Sequence, residues 1–238
     1  MIEPIYPLND AEKNRLLASL KAAFTIPLID DVEDFVWEAV FHYVKEIRLP
    51  DPIVEGRTKR LFDAVAPDGR GWSLKTLVRS NCAPGIRFEF VIQRANIFQK
   101  APILGFPEGL NASSPVANLG NALIRHWNQK HLGDCIVQKV SDPRFAILLK
   151  NRQRQRLAYV EFAYPSLNEE EYEWQWSREQ KLGLQGLRAG KVDLKWYPSG
   201  TQLFQVVEMP LNAYYFEVQW QRATLSNFVD TVNRMLGE

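Results

Sequence analysis

Three residues in the first third of the chain have types and spacing that suit metal and proton chemistry: Asp63 in RLFDAVA, with Ser73 and Lys75 in GWSLKTL. Between them lies PDGRG, whose Pro67, Asp68 and Gly69 are strong turn formers, so Leu61–Ala66 and Trp72–Val78 read as the arms of a β-hairpin. Successive strand residues project to opposite faces, which places Ser73 and Lys75 on one face and Trp72, Leu74 and Thr76 on the other. Lys75 can then share a face with Asp63 of the neighbouring arm. A carboxylate beside an ammonium meets the basic requirement of metal-assisted phosphodiester hydrolysis. The acid holds Mg²⁺, the metal polarises phosphate and activates water, and the ammonium stabilises developing charge or orients the water.

Mg²⁺ sites without a dedicated cage use one or two carboxylates, so a second acid is expected. The segment 31–47 carries Val32, Phe35, Val36, Ala39, Val40, Tyr43, Val44 and Ile47 at helical spacing. At 100° per residue Glu33 falls within the span of Val36, Val40, Val44 and Ile47, whereas Glu38 falls nearly opposite Val36 and is expected in solvent. An acid within an apolar face calls for a partner, which makes Glu33 a candidate ligand. Glu46, on the border of the stripe, is the reserve.

The elements that must position these groups alternate between helix and strand. Residues 10–24 form an amphipathic helix behind the cap Asn9, and Arg87–Ala95 form a third strand. A helix is expected from Pro115 to His131, with Ser114 as cap and Gly133 as stop. Strands are then expected at Cys135–Val140, Phe145–Lys150, Leu157–Tyr164, Lys191–Tyr197, Gln202–Glu208 and Tyr214–Trp220, before a closing helix over 225–236 capped by Thr224. The class is α/β, and no repeat or linker divides the chain.

An acid-bearing helix, a strand with Asp, a tight turn, a strand with Ser-x-Lys, a third strand, a helix and a fourth strand occur here in that order. This order resembles the PD-(D/E)xK nuclease superfamily, the restriction endonuclease-like fold, over roughly residues 31–150. The resemblance implies an α-β-β-β-α-β core with a mixed sheet in 31–150 and a β-rich elaboration in 151–238 for DNA recognition or dimerisation, all within one domain spanning 1–238. It implies catalytic roles for Asp63, Ser73 and Lys75, with Asp63 and either Glu33 or Glu89 binding Mg²⁺. Ser73 stands where the family carries its second acid. Some type II restriction enzymes with Ser-x-Lys recover that acid fourteen residues after the Lys, which is Glu89 in this chain. The implied protein is a homodimeric, Mg²⁺-dependent endonuclease of double-stranded DNA. One alternative keeps the fold but has a degenerate site that binds nucleic acid without cutting it, motivated by Ser73. Another is a carbohydrate-binding β module, motivated by the tryptophans.

Other features bear on these readings. In KNRQRQR, Lys150, Arg152, Arg154 and Arg156 alternate with amide side chains, and the run is either a phosphate contact or a solvated hairpin tip. Arg79 follows the Lys75 strand as a further DNA-contact candidate. Tyr172, Trp174 and Trp176 alternate with period two, as core packing or as a row for stacking bases or sugars. Among 238 residues, 29 are basic and 28 acidic, so net charge favours no polyanion. Two distant cysteines, no apolar leader and no long apolar run lead us to expect a cytoplasmic protein with no membrane span. The chain carries no Walker loop, GxGxxG, GxSxG or HExxH motif, which weakens nucleotide-binding, α/β-hydrolase and zinc-protease readings.

Overall fold

Local signals set most element boundaries in the computed structural model, which describes residues 6–29, 31–49, 60–153, 155–177 and 182–237. In chain order the elements are α1 (Asp10–Thr25), α2 (Asp34–Val44), β1 (Ala64–Val65), β2 (Arg70–Arg79), β3 (Arg87–Arg94), α3 (Ile97–Lys100), α4 (Val116–Gln138), β4 (Asp142–Asn151), β5 (Arg156–Ala163), β6 (Glu173–Trp176), β7 (Leu184–Arg188), β8 (Lys191–Tyr197), β9 (Gln202–Glu208), β10 (Tyr214–Glu217) and α5 (Leu225–Leu236). Asn9 caps α1 in a capping box, accepting from Glu12 N while the Glu12 carboxylate accepts from Asn9 N. Thr224 caps α5 by accepting from Asn227 N. The PDG turn closes through Gly69 N, which donates to Ala66 O at 3.1 Å. Gly69 has φ +89°, where a side chain is strained, and a Cβ there would meet Ser141 Oγ.

The chain forms two compact units. The first comprises the described residues up to Pro84, Val140–Ala163 and the described residues from Pro210 onward. The second comprises Gly85–Lys139 and Tyr164–Met209. The first unit holds a mixed five-stranded sheet in the order β1-β2-β4-β5-β10. Strands β2 and β4 are parallel, with Lys75 beside Ile147 and Arg79 beside Asn151, and the other pairings are antiparallel. Helices α1 and α2 cover the face presented by Trp72, Leu74, Ala146, Leu148 and Tyr159. Trp37, Phe41 and Trp72 are sealed from solvent there, with edge contacts at 5.6 Å (Trp37–Phe41) and 5.4 Å (Phe41–Trp72). Such fully buried side chains each contribute roughly 1.5–3 kcal/mol, which fixes α2 against β2.

The second unit holds an antiparallel five-stranded sheet in the order β3-β9-β8-β7-β6, together with α3 and α4. The protein is thus α/β, with one mixed and one antiparallel sheet. Among the described residues, no helix is long and apolar enough to cross a membrane.

Three expectations change. The strand at Arg87–Ala95 is β3, but it pairs with β9 in the second sheet rather than extending the Asp63/Lys75 sheet. The helix over 115–131 continues through Gly133 to Gln138, and it ends where Lys139 turns left-handed at φ 56°. Cys135–Val140 is therefore the end of α4 and its exit, not a strand; one glycine costs a helix only about 1 kcal/mol, too little to stop it. Helix α2 starts at Asp34, and Glu33 is its N-cap with φ −77° and ψ 175°.

Candidate active site

Asp63 lies just ahead of β1, where its N–H donates to Trp72 O at 2.8 Å. Trp72 is the ladder partner of Ala64, so Asp63 is one residue out of register with β2, as at a bulge, and the expected arm Leu61–Ala66 is shortened to Ala64–Val65. Asp63 Oδ2 accepts from Leu74 N at 2.7 Å, so its side chain takes over the strand pairing where β1 ends. Two residues along β2, Lys75 Nζ donates to Ser73 Oγ at 2.9 Å, and Ser73 is only 2% exposed. The hairpin therefore brings Asp63, Ser73 and Lys75 together.

Burial dominates the electrostatics of this group. It raises the Asp63 carboxyl above its ordinary pKa, opposed by the Lys75 charge and the Leu74 N–H. It also lowers the Lys75 ammonium below its ordinary value, opposed by the charges of Asp63, Asp34 and Glu38. Both groups are pushed toward their neutral forms. Perturbation of this kind, a desolvated pair with specific charge partners, marks candidate catalytic centres.

Helix α2 contributes a polar line that the sequence reading missed. Asp34, Glu38 and His42 are four residues apart and so share one side of the helix. Asp34 Oδ1 accepts from Thr76 Oγ1 at 2.9 Å. The buried His42 ring lies 3.2 Å through Nε2 from the Asp63 carbonyl and 2.9 Å through Nδ1 from that of Arg48. Glu38 is half-buried and acts on Lys75 through its charge. The i, i+4, i+8 spacing was the available signal.

Glu33 does not join this line. As an exposed N-cap with extended backbone it is not on the helix, so the 100° projection does not apply to it. The projection also sent Glu38 to solvent, and half-burial corrects that. Glu46 is exposed and pairs with Arg15 Nη1 at 3.2 Å. Glu89 belongs to the second unit, on β3, where its carboxylate accepts from Lys195 Nζ at 2.6 Å and Tyr197 OH at 3.3 Å.

The residues read as DNA contacts divide sharply. Lys150 is buried rather than presented to phosphate, with its ammonium bound to Asp31 Oδ1 at 2.8 Å and to Val32 O, just ahead of α2. Arg152 and Arg156 are exposed, Arg79 is half-buried beside Asn151, and Arg154 lies outside the described residues. Trp174 is core: added Cβ atoms at Gly120 and Gly186 would lie 2.2 Å and 2.9 Å from its ring. Tyr172 is also buried and donates to Asp193 Oδ2 at 2.6 Å, leaving only Trp176 of that row half-exposed. Packing between α4 and the second sheet, not stacking on a ligand, accounts for Tyr172 and Trp174.

The donor set suits a Mg²⁺ ion completed by water and phosphate. Among the described residues, no three His, Cys, Asp or Glu side chains form a ready metal cage. Mg²⁺ needs only one or two carboxylates beside substrate oxygens, however. Asp63 Oδ1 has no hydrogen-bond partner among the described residues, and Asp34 and Glu38 lie on the helix that touches Asp63. Compared with models of known families, with curated proteins and with solved structures, the chain has no match, so function must be argued from this site.

Proposed function

We propose that the protein is a Mg²⁺-dependent endonuclease of double-stranded DNA, restriction endonuclease-like in its site, acting as a homodimer. The observation that carries this reading is the desolvated pair formed by Asp63, just ahead of β1, and Lys75 on β2, with Ser73 holding Lys75 and the acids of α2 acting on it. Asp63, with Glu38 or Asp34 as second acid, would hold the ion, which when bound supplies Lewis-acid polarisation of a phosphodiester. Lys75 is the proton-handling group. Burial eases loss of its proton, so the neutral amine can accept one from attacking water, and the charged form stabilises negative charge growing on phosphate oxygens. Ser73 orients that amine, and His42 fixes the main chain that carries Asp63. A homodimer suits the reaction because two copies related by a two-fold axis match the symmetry of duplex DNA.

A second reading is favoured by one observation: Ser73 occupies the position of the family's second acid and engages Lys75 itself. In that case the protein binds DNA without cutting it. Incubating purified protein with unmethylated plasmid and phage DNA, in Mg²⁺ or EDTA, separates the two. Discrete Mg²⁺-dependent fragments that disappear with Asp63→Ala and Lys75→Ala support the nuclease. A mobility shift with no cleavage of any DNA supports the degenerate site.

A further inference from the structure

The basic run at the β4–β5 turn is split by the fold: Lys150 is buried, while Arg152, Gln153, Gln155 and Arg156 are exposed. Asn151 shapes the turn from within. Its Oδ1 accepts from Gln155 N (2.9 Å) and Arg156 N (3.0 Å), and its Nδ2 donates to Gln153 Oε1 (3.1 Å). The chain leaving β10 is tied to the same turn, since Val218 N donates to Gln155 O at 3.0 Å. Between them lies a cleft of about 640 Å³ lined by Gln155, Arg156, Glu217, Val218, Gln219 and Trp220. This volume falls within the ~300–1,000 Å³ range of small-ligand sites.

The lining is chemically specific. The two glutamine amides each offer donors and an acceptor, and Trp220 offers an indole plane held by stacking on Phe24, with centroids 5.4 Å apart and planes at 23°. Arg156, the one cation among the described residues that line the cleft, donates from Nε to Glu217 Oε1 at 3.1 Å. A cation already matched by a carboxylate is a poor holder of bare phosphate. Paired amides and an aromatic plane instead suit a flat heterocycle with both donor and acceptor edges. Glutamine pairs with adenine through two hydrogen bonds, arginine with guanine, and aromatic rings stack on any base.

The parallel register places this chemistry relative to Lys75. Arg79, which lies beside Asn151 at the turn, is four residues beyond Lys75 on β2, or about 13 Å along the strand. The major groove is about 12 Å wide and 8.5 Å deep, so a phosphate near Lys75 and a base at the turn can belong to one duplex.

We propose that this cleft is a base-reading site: it takes one nucleobase turned out of the stack of the bound DNA, its edge on Gln155 and Gln219 and its face on Trp220, while the exposed Arg152 in the same turn contacts backbone phosphate. The assignment rests on DNA being the substrate and deepens that reading from where the chain cuts to how it chooses.

The test is binding of fluorescein-labelled duplexes from a randomised pool by the full chain in EDTA, so that cleavage plays no part. Wild type should enrich a preferred sequence. Gln155→Ala and Gln219→Ala should weaken binding to that sequence roughly 5- to 150-fold, relax the preference at a single base pair, and leave the salt dependence unchanged. Trp220→Phe, which keeps a ring on Phe24, should retain most of the affinity. Arg152→Ala should weaken all sequences alike and lower the salt slope by about one. Glutamine variants that bind with unchanged sequence preference, or that lose affinity uniformly, would overturn the base-reading site even if wild type cuts DNA. Binding with preference intact but no Mg²⁺-dependent cleavage by wild type would sink the nuclease reading alone, and absence of any DNA binding would sink both.

Discussion

The mixed-sheet unit contains two clusters of desolvated charge that solve the same problem differently. Around Glu161 on β5, whose side chain is 0% exposed, every oxygen is engaged: Lys45 Nζ at 2.7 Å, Tyr159 OH at 2.6 Å, Trp72 Nε1 at 2.7 Å and Arg144 Nη1 at 3.4 Å. Lys45 also reaches Glu12 at 3.2 Å, and Arg144 also holds Asp142. This cluster joins α1, α2, β2, β4 and β5. Around Asp63, by contrast, the carboxylate holds one backbone N–H and the Lys75 ammonium one hydroxyl among the described residues, and both groups are driven toward neutrality by burial. A charge with all its partners in place is architecture. A buried carboxylate and ammonium with few partners among the described residues are what the proposed chemistry calls for, at some expense to stability.

That contrast can be broken by substitution. The largest effect is expected in the open cluster: Lys75→Met should lower Mg²⁺-dependent cleavage at least about 10³-fold in single-turnover assays, with circular dichroism unchanged. The paired cluster should respond in stability instead. Glu161→Gln leaves Lys45 and Arg144 short of a buried counter-charge and should cost about 3–5 kcal/mol by urea denaturation, while the folded fraction still cuts. Within the helix acids, Glu38→Gln should reduce cleavage about 10- to 100-fold and raise the Mg²⁺ concentration needed for half-maximal rate, whereas Glu33→Gln should change neither.

The smallest effect is expected from the Asp63 carboxyl as a titrating group. Because burial raises the folded-state pKa of Asp63, the folded protein holds that proton more tightly than the unfolded chain does. The resulting stability is present at low pH and is lost as pH rises from the unfolded carboxyl value through the raised one. Above that window the ionised carboxylate is a liability. Asp63→Asn should therefore raise Tm by about 2–4 °C at neutral pH in calorimetry, and this gain should vanish in acid.

Much of this was legible in the sequence, for physical reasons that also mark its limits. The caps Asn9 and Thr224 and the PDG turn are local codes and stand as read, and Asp63 comes near Ser73 and Lys75 although the first arm is strand only at Ala64–Val65. Partners far along the chain were not legible. Lys150 reads as one cation of an exposed run, yet its partner Asp31 lies 119 residues earlier. The strand character of β3 was visible, but its pairing with β9 depends on a segment more than a hundred residues on. Glu33 was misplaced for a subtler reason: an angular projection assumes helical backbone, and one extended residue at the N-cap removes it from the face that it was assigned to. The line Asp34, Glu38, His42 was present in the spacing but was masked by the stronger apolar pattern beside it.

The most direct test of the functional contrast is to measure, on one preparation of Asp63→Asn and one of wild type, both Mg²⁺-dependent cleavage of phage DNA and thermal stability at neutral pH. The variant is expected to lose the discrete fragments made by wild type and to melt at a higher temperature. A variant that cuts as wild type does, or one that loses cleavage only because it melts lower, would contradict the claim that Asp63 is held for chemistry rather than for the fold.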